Sequence, residues 1–320
     1  MVVGWRDTWP GVIRKSALRW SSASHWRARS LVARGLSLPE LPQTPGSVWA
    51  IAMVKNEADI IEATVTHTFA QGVDQMLIVD NQSTDGTGDL LRGLAKQYPL
   101  HIGSDREIGY FQAHKMSALA AHVRRAGGRW VVPFDADEFW FAREMSVAEY
   151  LRNSSGTRVE ADIYNVFPTR ASPTLTGLAS DLRLDLRPHL LRKVATRTHP
   201  LLWIGMGNHS ALRPGTSDGG LRILHLPWRN RAQLKGKLRQ GAEAYRATDI
   251  RELGGHWRSL GAHEETALDR LWDELLDGRA DPSLGWRPVG PFTSVSPDTW
   301  KSWDPDHVVP DGLAVQKPTF

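Results

Sequence analysis

An α/β protein with a mostly parallel sheet flanked by helices, followed by an α+β C-terminal portion, is the fold class this sequence predicts. Three short apolar runs point to it: Val48-Trp-Ala-Ile-Ala-Met-Val54, Gln75-Met-Leu-Ile-Val79 and Trp130-Val-Val-Pro-Phe134. Each stops abruptly at a polar cluster, and helical patterns separate them. That alternation is the signature of parallel strands joined by crossover helices. In such sheets ligands bind beyond the carboxyl ends of the strands, so the three polar clusters converge on one edge.

The elements follow in order. Leu38-Pro-Glu-Leu-Pro-Gln-Thr-Pro-Gly46 is a proline-rich linker, which sets the start of the folded domain near Ser47. The first strand, 48–54, leads into a helix over 58–71, with Ile60, Ile61, Val65 and Phe69 along one side. The strand at 75–79 follows, then a helix over 86–97 and a weak strand at Leu100-His-Ile-Gly103. Residues 111–125 carry Met116, Leu119, Ala120 and Val123 at helical spacing; Gly127-Gly128 closes that helix, and the strand at 130–134 comes next. Beyond 140 the pattern changes. Asp162-Ile-Tyr-Asn-Val-Phe167, Leu201-Leu-Trp-Ile204 and Leu221-Arg-Ile-Leu-His-Leu226 read as strands, 231–251 and 264–276 as helices, and the proline-, glycine- and tryptophan-rich tail from Asp281 as irregular.

Composition narrows the chemistry. The 320 residues are 41% hydrophobic and 23% charged, ordinary for a soluble globular protein. The absence of cysteine excludes disulfides, thiolate chemistry and cysteine-ligated zinc, and fits a reducing compartment. No apolar run approaches the roughly 18 residues of a membrane span, and the N-terminal residues lack the apolar core of a secretory signal. The expected location is therefore cytoplasmic. Fourteen tryptophans suit sugar stacking or core packing. Residues 1–45 hold Arg6, Arg14, Lys15, Arg19, Arg27, Arg29 and Arg34 against Asp7 and Glu40, a charge of +5 where the whole chain carries +4. This basic arm reads either as a loosely docked extension or as a peripheral contact for anionic lipid at the inner face of a membrane. No nucleic-acid-binding motif accompanies it.

The chemistry-bearing residues sit at the strand ends. Asp135 and Asp137, one residue apart after a buried strand, cost desolvation energy unless a cation pairs with them. Two hard oxygen ligands at that spacing suit Mg²⁺ or Mn²⁺, an ion that commonly also holds a substrate phosphate. Asp80 ends the second strand. The following Ser83, Thr84 or Asp85 serves as a helix N-cap and Gly86 permits the turn, which accounts for 83–87 but not for Asp80.

Ala52-Met-Val-Lys-Asn-Glu57, Val79-Asp-Asn-Gln-Ser-Thr-Asp-Gly-Thr87 and Phe134-Asp-Ala-Asp-Glu-Phe139 together resemble the N-terminal half of family 2 glycosyltransferases of the GT-A fold, closest to the family 2-like branch. Gly207-Asn-His-Ser-Ala211 and His225-Leu-Pro-Trp-Arg-Asn230 resemble that branch's C-terminal motifs more loosely. Residues 1–46, read above as a basic arm and linker, show no match, and the resemblance implies a GT-A domain at 47–250. That domain comprises a nucleotide-binding half, 47–141, and an acceptor-side half, 142–250; residues 251–320, which show no match, read as a helical and irregular C-terminal extension. It implies a nucleoside diphosphate sugar donor, a saccharide or lipid-linked acceptor, Mn²⁺ or Mg²⁺, and inversion at the anomeric carbon.

By the same resemblance Asp80 contacts the base or ribose, Asn56 and Glu57 line the nucleotide pocket, and Asp135 and Asp137 hold the metal against the diphosphate. His225 supplies a further metal ligand, with His209 the alternative for that role or for contact with the acceptor or diphosphate. Lys115 falls where relatives place a basic residue near the diphosphate; it also reads as an exposed helical lysine. Inverting transfer needs a carboxylate base at the acceptor hydroxyl. Asp181 and Asp185 are the candidates, although Asp181-Leu-Arg-Leu-Asp-Leu-Arg187 equally reads as a solvated strand face, and the base stays unassigned. Glu138 reads as structural. Other Mg²⁺-dependent phosphate chemistry and a scaffold with a degenerate site remain as alternatives. Against the first, Lys55-Asn56-Glu57 lacks both the nucleophile of a phosphohydrolase and the glycine-rich loop of a nucleotidyltransferase.

Overall fold

The computed structural model describes residues 8–173, 182–247, 259–279 and 281–295. The chain divides into two compact units, the first comprising 1–162 with 191–223 and the second 163–190 with 224–320.

The first unit is built on the expected parallel strands. β2 (Val48–Val54) lies between β3 (Gln75–Asp80) and β5 (Trp130–Pro133), and β4 (Leu100–Asp105) lies outside β3, all parallel. Helices α3 (Ile61–Ala70), α4 (Thr87–Leu94) and α5 (Gln112–Arg125) make the crossovers. Beyond β5 the sheet turns antiparallel: β9 (Lys193–Arg197) pairs with β5, and β7 (Arg158–Phe167) pairs with β9 through its first residues. The order then continues to β12 (Ser217–His225) and β6 (Glu138–Ala142), with α6 (Val147–Asn153) after β6. β10 (Trp203–Ile204) and β11 (Ala211–Leu212) form a separate ribbon, so only the end of the expected 201–204 strand exists.

Strand alternation explains the core. Trp49, Ile51, Leu77, Val79 and Val131 point to one face, where Met116, Leu119, Ala120 and Val123 of α5 cover them. The 3.6-residue spacing of those four α5 residues is what selects that face. Gly128 is required where the chain leaves α5: a Cβ there would come within 2.7 Å of the Trp49 ring. Ser146 caps α6 by accepting from the Glu149 amide at 3.2 Å.

The basic arm is not a loose extension. Residues Trp9–Trp20 and Ala23–Gly35 form α1 and α2, with Val12, Ala28 and Val32 buried, and β1 (Leu36–Ser37) pairs antiparallel with β4. The Arg19 guanidinium stacks 4.2 Å over the ring of Trp203, and His25 meets His114 of α5 at 3.1 Å.

The second unit holds α7 (Arg231–Arg246) and α8 (Glu265–Leu276). Leu234, Leu238, Leu268, Leu271, Trp272 and Leu275 pack together with Phe167 and Trp228. β8 (Leu182–Asp185) pairs with the end of β7 and with β13 (Phe292–Val295), so the tail after Asp281 is not wholly irregular.

The first unit contains a built-in acid sensitivity. His67 of α3 is buried against Phe139 and Phe141, with Nε2 2.8 Å from the Trp140 carbonyl, so its neutral form carries the proton on that nitrogen. Burial pushes its pKa down to about 4 from 6.5, although the Trp140 hydrogen bond pulls it up. Burial, and then His25 and Arg19, push His114 down to about 4 as well. Since the folded values lie below the unfolded ones, the associated stability is complete above pH 6.5 and is lost as pH falls towards 4. For His67 alone the loss is about 3 kcal/mol. Urea midpoints of wild type and His67→Gln measured across this window should converge at low pH, because Gln keeps a donor for the carbonyl without titrating. Parallel curves would refute the assignment.

Candidate functional site

The order β4-β3-β2-β5 reverses direction between β2 and β5, because the chain runs outward from β2 through β3 to β4 and then returns to β2's other side. A crevice opens at the carboxyl ends of strands at such a switch point, and ligands of open α/β sheets bind there. Asn56 and Glu57 leave β2, Asp80 ends β3, and Asp135 and Asp137 follow β5. The fold therefore brings five of the sequence-selected residues to one edge.

The loops after β2 and β3 are stapled to one another. The Asn56 amide donates to Ser83 Oγ at 2.9 Å, the Glu57 amide to Thr87 Oγ1 at 2.9 Å, and the Ala58 amide to Asp85 Oδ2 at 3.0 Å. In return the Thr84 amide donates to Asn56 Oδ1 at 2.8 Å, and the Ser83 hydroxyl donates to Asp80 Oδ1. Thr87, wholly buried, relays the network by donating to Asp85 Oδ1 at 2.6 Å. The polar run 83–87 is thus a clamp between two loops, and the residue that caps the helix is Gly86, at φ 96°, not Ser83, Thr84 or Asp85. Asn56 has φ 55°, Gln82 58° and Asn208 59°, left-handed values that non-glycine residues adopt at a cost and that concentrate at functional sites.

Behind the Asp pair lies a buried cation. β9 runs antiparallel to β5, so its first residue, Lys193, arrives at the strand end from which Asp135 departs. Lys193 Nζ is 2.5 Å from Asp135 Oδ2 and 2.8 Å from Glu138 Oε1, with the lysine and Glu138 side chains 2% and 1% exposed. Burial works against the charged ammonium, but the two carboxylates more than offset it and hold Lys193 above the usual lysine range. Burial pushes Glu138 up, and Lys193 counters that only in part. Glu138 also accepts from the Asp135 amide at 3.2 Å, which fixes the turn carrying the pair.

Asn208, buried in the 3₁₀ turn Met206–Asn208, donates from Nδ2 to Asp135 Oδ1 at 3.3 Å, while its own Oδ1 is buried with no hydrogen-bond partner. Asp135 is therefore half-exposed and held from both sides; Asp137 is buried. Lys193 and Asn208 are the residues that sequence reading missed. The available signal was the uncompensated Asp pair itself, which demanded a cation.

The remaining sequence candidates are held by other partners. Lys115 is interior, not exposed: its Nζ lies 2.6 Å from Asp105 Oδ2 and donates to the Glu107 carbonyl at 2.7 Å. Burial lowers its pKa below the usual range despite Asp105. His209 Nδ1 lies 2.8 Å from the Arg192 carbonyl. His225 belongs to the second unit, where Nδ1 meets Asn165 Oδ1 at 2.8 Å and the ring stands edge-on to Trp286. Asp185 is fully buried in that unit rather than on a solvated strand face, and accepts from the Arg187 and Val289 amides at 3.2 and 3.0 Å. Asp181 lies outside the described residues.

Among the described residues no three His, Asp or Glu side chains gather closely enough to cage a metal ion. The Asp pair nonetheless fits Mg²⁺ or Mn²⁺ of the kind that takes one or two carboxylates and completes its shell with substrate phosphates and water. Such an ion would arrive with its phosphates and compete with Lys193 for Asp135.

Residues 49–152 match the family described as Glycosyl transferase family 2. No curated protein matches the sequence. Among solved structures, the Pyrobaculum calidifontis mannosyltransferase PcManGT, in complex with GDP-Man and Mn²⁺, is 16% identical over 85% of this chain and 88% of that one, at a TM-score of 0.39. S. aureus TarS 1-349 in complex with UDP is 14% identical over 68% of this chain and 70% of that one, at 0.36.

Proposed function

We propose that this chain, a glycosyltransferase whose residues 49–152 match the family described as Glycosyl transferase family 2, transfers a sugar from a nucleoside diphosphate sugar to a saccharide or lipid-linked acceptor, with inversion and with Mn²⁺ or Mg²⁺. The observation that carries this reading is the meeting of Asp80, Asn56, Glu57 and the Asp135/Asp137 pair at the switch point of the parallel sheet. Asp80 receives a hydrogen bond from the base or ribose, and its tie to Ser83 holds the carboxylate in place. Asn56 and Glu57 form the wall opposite, rigid because their amides are anchored to Ser83 and Thr87.

Asp135 and Asp137 would hold the divalent ion, whose chemistry would be to offset negative charge on a leaving diphosphate. Lys193 and Asn208 orient Asp135 before the donor arrives, so the carboxylate is already placed when charge builds. The acceptor base remains unassigned; buried Asp185, occupied by two backbone amides, is the weaker of its two candidates.

Calorimetric titration of UDP, GDP, ADP and CMP, each with and without Mn²⁺, tests the reading. We expect one nucleotide to bind, at least tenfold more tightly with the ion, and Mn²⁺ alone to bind weakly because Lys193 already neutralises Asp135. Failure of all four in both conditions would overturn the donor site.

A further inference from the structure

We infer that the outer surface of α1 and α2 is a docking face for an anionic phospholipid bilayer. Residues 8–39 contain Arg14, Lys15, Arg19, Arg27, Arg29 and Arg34 and no aspartate or glutamate. Among the described residues, five of the eleven exposed large hydrophobic side chains lie here: Trp9, Ile13, Leu18, Trp20 and Trp26. Leu18 is 65% exposed, a value that a docked helix gives only to a side chain facing away from its support, and Trp9 stays 56% exposed although one edge of its ring meets His199 at 5.5 Å.

Helix geometry sorts the residues into faces. Val12 and Ser16 of α1, and His25, Ala28 and Val32 of α2, are buried on the inner sides. At 3.6 residues per turn, Trp9, Ile13 and Trp20 fall within roughly 40° of one another on the flank beside buried Ser16, and Arg14 and Leu18 lie on the side opposite the buried pair. On α2 the outward positions are Trp26, Arg27 and Arg34. Apolar rings beside guanidinium groups, with no acidic residue among them, are the composition of a helix lying in a headgroup interface.

The rings are also fixed in advance. Trp26 Nε1 donates to the Trp20 carbonyl at 2.6 Å, the two indoles meet edge to face at 5.0 Å, and Arg29 lies 4.8 Å over the Trp20 ring. Indoles held this way bring little ordering cost to an interface that tryptophan favours. No described helix is long and apolar enough to cross a membrane, so contact here lies along the surface. Charge complementarity selects the occupant: a zwitterionic surface would use the indoles and leave the basic cluster unanswered. The inference is independent of the donor site.

Co-sedimentation of the full chain with vesicles of phosphatidylcholine alone, and of phosphatidylcholine mixed with phosphatidylglycerol, tests it. Binding should require phosphatidylglycerol and weaken as salt rises. Each basic side chain near such a surface is worth about fivefold in partitioning, so Arg27→Gln with Arg34→Gln should weaken binding roughly 25-fold. Leu18→Asn should weaken it as well, by a smaller factor that does not depend on salt. Thermal melting and nucleotide titration of these variants, unchanged from wild type, show that the fold is intact. Equal binding to both vesicle types, insensitivity to the paired substitution, or preference for an RNA or DNA oligonucleotide over the mixed vesicles would each overturn the assignment.

Discussion

Replacing Lys193 with alanine should destabilise the first unit by about 3–5 kcal/mol, the cost of stranding buried charge when one partner of an interior ion pair is removed. Lys193 is enclosed between Asp135 and Glu138, and Glu138 is as completely buried as the lysine. Without the ammonium Glu138 must either take up a proton or draw in water, and the Asp135 turn loses one of its two lateral supports. The double variant Lys193→Ala with Glu138→Ala should cost less than the sum of the single changes, because neither charge is then left alone. Urea unfolding of the four proteins gives the coupling directly. A single-variant loss under about 1 kcal/mol would place the pair among ordinary surface ion pairs.

Asp137→Asn should leave the fold intact and reduce sugar transfer by about 10²–10³-fold, the scale of several kcal/mol that a bound cation contributes to a charged transition state. Asn has nearly the same shape as Asp, so packing around this buried position survives; what changes is the charge available to an ion bridging the diphosphate. Nucleotide affinity in the presence of Mn²⁺ should fall to the metal-free value. Undiminished metal-dependent affinity in this variant would remove Asp137 from the ion's shell, whatever happened to the rate. The two substitutions are separable in practice. Lys193→Ala acts on stability first, whereas Asp137→Asn acts on donor binding with the melting temperature unmoved.

The parallel strands and their crossover helices were legible because their information is local. Val48–Val54 is a buried parallel strand with the bounds its apolar run predicts, and the residues after each strand need only the sheet's direction to be placed on one edge. The periodicity of 111–125 gave α5 to within one residue. What stayed hidden depends on pairings between distant segments. Lys193-Val-Ala-Thr-Arg197 is too short to declare which strand it joins, so nothing local marks its lysine as an interior counter-ion to Asp135, 58 residues earlier. Lys115 has the same character: its helix was evident, but its partner Asp105 closes β4, a strand whose weak pattern ended the sequence reading at Gly103. The packing of the arm was hidden for the opposite reason. Its glycine, proline, serine and exposed indoles lower the helical signal, and packing against α5 with β1 on β4 supplies what propensity lacks.

The antiparallel strand beside β5 also bears on how separable the parts of this enzyme are. The family match ends at residue 152, yet the counter-charge to Asp135 and Glu138 comes from residue 193 and the second support from residue 208. The matched segment is thus not a cassette. A chimaera grafting 49–152 onto another acceptor half would inherit two carboxylates at a strand end and a buried glutamate with no cation to answer them. A stable chimaera should therefore need both stretches together, or a host that already presents a lysine at that register.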